Sequence, residues 1–152
     1  LAFDPSMPQP AMARSALIEF HTTGLGATNG IGKNGWKFKT LAKHILDEGY
    51  LGVHIDYVKI DVEYMEWDIL KQAVTDGSLK LVKQLAFEVH TPELFRIFHQ
   101  GNQTLERNPR SEKRDFLRMF EILHQLENLG FKKFNYRKNP FGNYKSVYSS
   151  KE

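Results

Sequence analysis

Two acidic residues, Asp61 and Glu63, lie in the segment VKIDVEYMEWDIL (residues 58–70), where a predicted buried strand runs into a predicted helix. A charged group in a protein core is costly unless it has a partner, so this placement indicates a site. Side chains alternate along a strand, which puts both carboxylates on the same face. Such carboxylates can act as a general base or bind a cation. A second interpretation, also open, is that they cap the helix that begins near Tyr64, because carboxylates favour the N-terminal end of the helix dipole.

Glu88 and His90 lie two residues apart at the end of a second predicted strand. An imidazole titrates near neutral pH, so His90 is a candidate base for removing a hydroxyl proton. Carboxylates from adjacent strand ends, together with a histidine, could equally hold Mg²⁺ or Mn²⁺, and Asp61, Glu88 and His90 form that candidate set. No ligand spacing in the sequence demands a metal, so a metal-free site is the favoured interpretation.

Two further strand ends carry groups that could bind a ligand. Asp4 stands in AFDPS, and His21 precedes Gly24 in EFHTTGLG. Ligands of open α/β sheets bind outside the carboxyl ends of the strands, so all these groups are expected at a common rim. Asp before Pro also opens turns, which gives Asp4 a purely structural alternative. The other histidines show no mutual pattern and are interpreted as surface or core residues: His44, His54, His99 and His124.

The elements that must position these residues alternate between strand and helix. Apolar residues at helical spacing from Phe38 to Leu46 predict a helix that stops at Gly49. The five glycines of residues 24–35 predict a long loop before it. Helical spacing also predicts that Trp67 is a core residue. The predicted strands are 16–23, 55–62 and 81–89, and the next predicted helices are 66–77 and 91–101.

Strands joined through helices must run parallel, because a parallel return needs a crossover connection. After the third strand and helix, an apolar stripe from Phe116 to Leu129 predicts a fourth helix. Ser111 is its predicted N-cap, and Gly130 is predicted to lie just past its end.

The last elements differ from those before them. Residues 137–143 contain Pro and Gly and are too few for a crossover. The flanking strands, 131–136 and 144–148, are therefore predicted to form an antiparallel hairpin. The predicted fold is α/β, with a mostly parallel sheet that ends in this hairpin.

The composition is that of one ordinary domain over residues 1–152, with 41% hydrophobic and 26% charged residues. No apolar run approaches the roughly 20 residues of a membrane span, and no signal-peptide pattern is present. The absence of cysteine excludes disulfides and thiolate catalysis but leaves the compartment open. The net charge of +3 arises in residues 106–152, where 11 Lys and Arg accompany 6 Asp and Glu. Because both signs are mixed there, a solvated helix surface is favoured over nucleic-acid binding.

Several of these segments together resemble a known family. AFDPSMP is similar to the second-strand end of class I S-adenosylmethionine-dependent methyltransferases of the FkbM-like kind. YVKIDVEYMEWDIL is similar to their fourth-strand motif, an Asp-x-Glu followed closely by Glu-Trp. With HTTGLG, WKFKTLAKHI and LAFEVH added, the sequence most resembles the methyltransferase-like protein 24 group. The resemblance runs from the first strand to the closing hairpin, and it implies a Rossmann-like three-layer α-β-α sandwich.

The resemblance also implies how the donor, S-adenosylmethionine, would be held. Asp4 would accept hydrogen bonds from the ribose hydroxyls, since a carboxylate offers only acceptors. Gly24 and Leu25 would line the adenine. Asp61 would hold the amino group of the donor or a cation.

On the acceptor side, the resemblance implies methyl transfer to a hydroxyl oxygen of a sugar, glycan or other small metabolite. Glu63 would orient this acceptor or act as a base. His90 would remove the hydroxyl proton during the transfer.

Two features depart from the family pattern. Tyr64 stands where FkbM-like proteins usually have glycine after Asp-x-Glu, and the sequence lacks the glycine-rich loop that follows their first strand. We therefore expect the sequence to be a fragment that begins at the second strand of the family. The same departures keep open an alternative of a different class, a non-catalytic interaction or scaffold domain with the same layers.

Overall fold

The computed structural model describes residues 1–7, 17–91 and 109–137, with the backbone alone for 109–112. It divides the chain into two compact units, Leu1–His90 and Thr91–Glu152, and each unit is described by itself. In the described residues the architecture is mixed α/β.

The strands of the first unit are mostly short. They are β1 (Ala2–Phe3), β2 (Phe20–His21), β3 (Gly24–Leu25), β4 (Gly30–Ile31), β5 (Lys37–Lys39), β6 (Ile55–Ile60) and β7 (Val82–Phe87). β1 and β2 run parallel, as do β3 and β5, whereas β4 lies antiparallel on the other side of β5. β6 and β7 form a third pair, which is also parallel. The predicted parallel pairing is confirmed for β6 and β7, which are joined through a helix, whereas the described strands form three small sheets, one of which contains an antiparallel pair.

β6 and β7 are the longest strands in the described residues. Ile60 lies opposite Phe87, and the Glu88 N–H continues the ladder by donating to the Ile60 carbonyl at 3.1 Å. These strands confirm the predictions at 55–62 and 81–89, with slightly shorter bounds. Because carboxyl ends of parallel strands meet at the same edge, the residues that follow Ile60 and Phe87 emerge side by side.

The glycine-rich segment forms more structure than its composition predicts. Residues 24–35 contain β3 and β4, and Phe38 lies in β5 instead of the predicted helix. The reason is steric: a Cβ on Gly24 would lie 2.8 Å from the Phe38 ring, and one on Gly26 would lie 3.1 Å from the Phe38 Cβ. The glycines therefore leave the space that Phe38 fills from the neighbouring strand.

Helix α1 (Leu41–Asp47) has well-defined ends. The Thr40 hydroxyl caps it by accepting a hydrogen bond from the Lys43 N–H at 3.2 Å. Gly49 has φ +75°, and the Tyr50 N–H donates to the Ile45 carbonyl at 2.9 Å, the pattern of a Schellman motif. The predicted stop at Gly49 is confirmed.

Helix α2 (Glu66–Thr75) confirms the helix predicted at residues 66–77. Trp67, Ile69, Leu70 and Ala73 are buried on its inner face. Gly77, with φ +76°, follows its end as predicted. The buried apolar residues of the first unit are Leu41, Ile60, Trp67, Ile69, Leu70, Ala73, Leu79 and Val82.

In the second unit, helix α3 (Pro109–Asn128) ends as predicted and begins earlier. Gly130 has φ +100°, and the Phe131 N–H donates to the Leu126 carbonyl at 3.2 Å, which is again a Schellman motif. The prediction of Ser111 as N-cap is wrong, because Pro109 already occupies a helical position, a place where proline is favoured.

The face that α3 buries is also displaced from the predicted stripe. Ile122 and Leu126 are buried, whereas Phe120 is 67% exposed and Leu123 is 39% exposed. The buried face is centred on Ile122 and Leu126, about a quarter of a helical turn from the centre of the predicted stripe, and Leu126 belongs to both.

Two predicted elements lie wholly or partly outside the described residues. The helix at 91–101 is one of them, apart from Thr91. Residues 131–137 form no strand, and the remainder of the predicted hairpin, residues 138–152, lies outside the described part. Within the described ranges, no helix combines the length and the apolar character that crossing a membrane requires.

Candidate active site

The turn between β6 and α2 has an unusual backbone. Glu63 has φ +47° and Tyr64 has φ +73°, and the other residues with positive φ in the described ranges are glycines. A side chain in this left-handed region costs roughly 1–2 kcal/mol per residue. Such strain persists only where surrounding contacts hold it, and it is concentrated at functional sites.

Immediately beyond this turn, Glu66 begins α2 and is fully buried. Its Oε1 lies 3.0 Å from Nδ1 of His90. A carboxylate only accepts hydrogen bonds, so Nδ1 is the donor. Glu66 Oε2 is buried and has no hydrogen-bond partner among the described residues.

A second contact fixes His90 through its backbone. The Trp67 indole N–H donates to the His90 carbonyl at 2.8 Å. The imidazole itself is only 16% exposed. Two adjacent residues of α2, Glu66 and Trp67, therefore hold the ring and the main chain of one histidine.

The other ring nitrogen of His90 faces the remaining carboxylates. Nε2 lies 3.6 Å from Oε2 of Glu88 and 3.8 Å from Oε2 of Glu63. In the neutral tautomer with the proton on Nδ1, Nε2 presents a lone pair, which can take up a proton. Glu66 would stabilise the imidazolium that results, as the carboxylate does in a catalytic triad.

Tyr64 covers one face of this histidine. The centroids of its ring and of the His90 ring are 4.3 Å apart, with 46° between their planes. Burial, and then the charges of Glu63 and Glu66, raise the pKa of Tyr64 above its usual value. The Tyr64 hydroxyl consequently stays protonated at neutral pH.

Asp61 lies at the same edge and has a different partner. It forms an ion pair with Lys59 on the same face of β6, and this bond raises the pKa of Lys59. Burial raises the pKa of Glu88, and the nearby charge of Asp61 raises it further. Asp61 and Glu88 are therefore electrostatically coupled across the two strand ends.

Two sets of three side chains at this edge have potential ligand atoms within 4.8 Å of one another. Asp61, Glu63 and Glu88 form one set, and Glu66, Glu88 and His90 form the other. The predicted metal trio of Asp61, Glu88 and His90 is thus divided between the two sets. The hydrogen bond from His90 engages only one of the two Glu66 carboxylate oxygens.

Asp4, a predicted donor-binding residue, forms a local turn. Its Oδ1 accepts hydrogen bonds from the Ser6 N–H at 2.8 Å and from the Ser6 hydroxyl at 2.6 Å. The Asp4 N–H donates to the His21 carbonyl at 2.9 Å, which continues the β1–β2 ladder. The turn alternative raised for Asp4 is therefore present in the structure, and it occupies one carboxylate oxygen.

Gly24 is buried next to that turn. A Cβ at this position would lie 2.8 Å from a Pro5 side-chain carbon, as well as from Phe38, and the Gly24 carbonyl lies 3.1 Å from Nε2 of His44. These contacts make Gly24 a packing position. Leu25, the next residue, is half-buried.

His44 and His21 flank the same aromatic ring. Phe3 lies 4.3 Å from the His44 ring and 4.7 Å from the His21 ring. Burial lowers the pKa of His44, against the smaller raising effect of its hydrogen bond to Gly24. His21 Nδ1 lies 3.5 Å from a carboxylate oxygen of Glu48.

The structure thus brings the predicted catalytic residues Asp61, Glu63 and His90 to one edge, together with Glu88. It places Pro5, the residue after the predicted donor residue Asp4, against Gly24, the first residue of β3. Glu66 is the residue of the candidate site that the sequence reasoning missed. The signal for it was the Glu-Trp pair of the motif, since both members contact His90.

A parallel strand pair whose carboxyl ends carry a carboxylate-bound histidine is typical of α/β enzyme domains. The sequence matches the family model described as the methyltransferase FkbM domain over residues 38–133, which is more than half of the chain. The protein belongs to the FkbM methyltransferase domain family.

The matched region contains Asp61, Glu63, Glu66 and His90, and it begins after the predicted donor residues at 4, 24 and 25. The matched region is shorter than the resemblance inferred from the sequence, which ran from the first strand to the closing hairpin. Searches of curated proteins and of solved structures give no match to this chain.

Proposed function

We propose that the protein is an S-adenosylmethionine-dependent methyltransferase that methylates a hydroxyl oxygen of a sugar or another small metabolite. The observation that supports it best is the Glu66–His90 pair, at 3.0 Å, within a chain of the FkbM family. A Rossmann-like three-layer arrangement and the narrower likeness to the methyltransferase-like protein 24 group are part of the same proposal.

His90 is the proposed general base. Nδ1–H is held by Glu66, so the free lone pair lies on Nε2, on the side of Glu63 and Glu88. An acceptor hydroxyl placed near Nε2 would transfer its proton there as its oxygen gains the methyl group. Glu63, which is largely exposed, would orient that hydroxyl by accepting a hydrogen bond.

When bound, S-adenosylmethionine supplies an electrophilic methyl group on its sulfonium centre. The residues at the edge fit the charged end of this molecule, because the partly exposed Asp61 is an acceptor for an ammonium group. Asp4 would bind the ribose through Oδ2, since Oδ1 is engaged by Ser6. Leu25 would contact the adenine, whereas Gly24 fits poorly as a direct contact because Phe38 and Pro5 cover its α-carbon.

The first experiment measures donor binding by isothermal titration calorimetry, with S-adenosylmethionine and with S-adenosylhomocysteine. We expect both to bind the folded protein and Asp61→Asn to weaken binding. Asp56→Asn, which removes an exposed carboxylate from β6, the strand that precedes Asp61, is the matched control and should leave binding unchanged. A folded protein that binds neither molecule would contradict the proposal and would favour the scaffold alternative.

The second experiment follows transfer of an isotope-labelled methyl group to a panel of monosaccharides, disaccharides and polyols. A labelled methyl ether is the expected product, and it should be lost in His90→Gln. Label found on nitrogen or carbon acceptors only would overturn the assignment of a hydroxyl acceptor. This test also separates binding of the donor from catalysis.

A further inference from the structure

Tyr64 is an unlikely residue for the backbone conformation it adopts. With φ +73° it follows Glu63 at +47°, and tyrosine has no short polar side chain with which to stabilise a left-handed backbone locally. Contacts elsewhere must therefore hold this turn in place.

One such contact is with His90. The Tyr64 ring packs on the imidazole at a centroid distance of 4.3 Å and an angle of 46°. The same imidazole is bonded at Nδ1 by Glu66, and its backbone carbonyl accepts from Trp67. A hydrogen bond at Nδ1 leaves the ring free to rock about that bond, whereas a ring packed on its face opposes this motion.

We propose that Tyr64 is a positioning residue, whose ring fixes the plane of the His90 imidazole so that Nδ1 meets Glu66 and Nε2 faces Glu63 and Glu88. The left-handed backbone of the turn directs the Tyr64 ring back over the imidazole. Positioning of the ring stands on the geometry alone, and only its catalytic consequence rests on the proposed function.

At position 64 the stability of the fold and the positioning of the His90 ring make opposite demands. Glycine at position 64 would relieve the backbone strain, but it would leave the imidazole face uncovered. A residue that does not suit its own backbone conformation, as Tyr64 does not, is expected at functional sites. Replacing Tyr64 therefore separates the two effects.

The test compares Tyr64→Phe, Tyr64→Gly and Tyr64→Ala by NMR of the His90 side chain. The ring protons of His90 should show the upfield shift caused by an adjacent aromatic ring in the parent protein and in Tyr64→Phe. This shift, and the single Nδ1–H tautomer, should be lost in Tyr64→Gly and Tyr64→Ala. A His90 spectrum that is the same in all four proteins would overturn the proposal.

Chemical denaturation of the same variants tests the role of the backbone. Glycine and alanine both remove the ring, but only glycine tolerates positive φ, so Tyr64→Gly should have the higher denaturation midpoint. This order is the reverse of that expected in regular structure. A higher midpoint for Tyr64→Ala would contradict a strained, left-handed backbone at position 64.

Once an acceptor is known, kinetics test the catalytic consequence. Tyr64→Gly should lower kcat by roughly tenfold or more with little change in KM for the donor, and Tyr64→Phe should restore it. If the parent protein transfers no methyl group, the proposed function fails while the NMR result still decides the positioning role. If the parent is active and the two variants have equal kcat, Tyr64 has no catalytic consequence.

Discussion

His90 and His44 are both shielded from solvent, yet their ring nitrogens have opposite partners. His90 donates from Nδ1 to the buried carboxylate of Glu66, and its Nε2 faces two further carboxylates. His44 has Nε2 against the Gly24 carbonyl, which can only accept, so Nε2 carries the proton there. Its Nδ1 is buried without a hydrogen-bond partner among the described residues.

The difference shows why burial alone does not identify a functional histidine. Both ring nitrogens of His90 face carboxylates, Glu66 at Nδ1 and Glu63 and Glu88 at Nε2. Protonation of His44 places a charge in an enclosed site beside Phe3, and burial accordingly lowers its pKa. The first histidine is suited to accept a proton, and the second is suited to packing.

The largest expected effect comes from removing the carboxylate that distinguishes His90. Glu66→Gln keeps the size of the side chain, but its amide can donate to Nδ1 and so favour the wrong tautomer. We expect kcat for methyl transfer to fall by about 10²–10⁴-fold, the range for loss of positioned acid-base catalysis. Glu127→Gln, on an exposed surface of α3, is the control and should retain full activity. Full activity in Glu66→Gln would contradict the role of the Glu66 carboxylate and would remove the proposed functional difference between His90 and His44.

A smaller effect is expected from the packing around His44. Gly24→Ala would place a Cβ 2.8 Å from both Phe38 and Pro5, so one of these rings must move. The free energy of unfolding should fall by about 1–3 kcal/mol, as for other overpacked positions. Gly30→Ala is the matched control, because a Cβ there has open space within 4 Å. Equal denaturation midpoints for the two variants would contradict the packing role of Gly24.

The smallest effect is the pH dependence that His44 contributes. Its folded-state pKa is below the ordinary value of 6.5, so the unfolded chain binds the proton more readily. The stabilisation is fully present above pH 6.5 and is lost as the pH falls below that value toward the folded-state pKa. His44→Gln, which can still donate to the Gly24 carbonyl, should flatten the loss of thermal stability between pH 7 and 5. His54→Gln, which replaces an exposed histidine, should leave this pH dependence unchanged. A parent protein with constant stability between pH 7 and 5 would contradict the lowered pKa of His44.

The elements that the sequence predicts well are those with a strong local signal. β6 follows from alternating apolar residues, and the ends of α1 and α3 follow from Gly49 and Gly130, which have positive φ. Parallel pairing followed from the intervening helix. Ser111 was mistaken for an N-cap because Pro109, a good first helical residue, was not weighed against it.

The sequence predicted where the candidate site lies, but it did not predict the hydrogen bonds within the site. Strand ends place Asp61, Glu63 and His90 at a common edge. Glu66 was missed because an acidic residue in a first helical turn is ordinary, and its hydrogen-bond partner His90 lies 24 residues away in the sequence. Phe38 was placed in the wrong element because its packing against Gly24 is also a long-range contact.

The most direct test of the account is a long-range ¹H–¹⁵N NMR spectrum of the imidazole side chains at neutral pH. It reports which ring nitrogen carries the proton, and it requires no substrate. We expect His90 to be protonated on Nδ1 with a bare Nε2, and His44 to show the opposite tautomer in the same spectrum. A His90 ring protonated on Nε2 alone would contradict the proposed base, because the lone pair would then face Glu66 and not an acceptor hydroxyl.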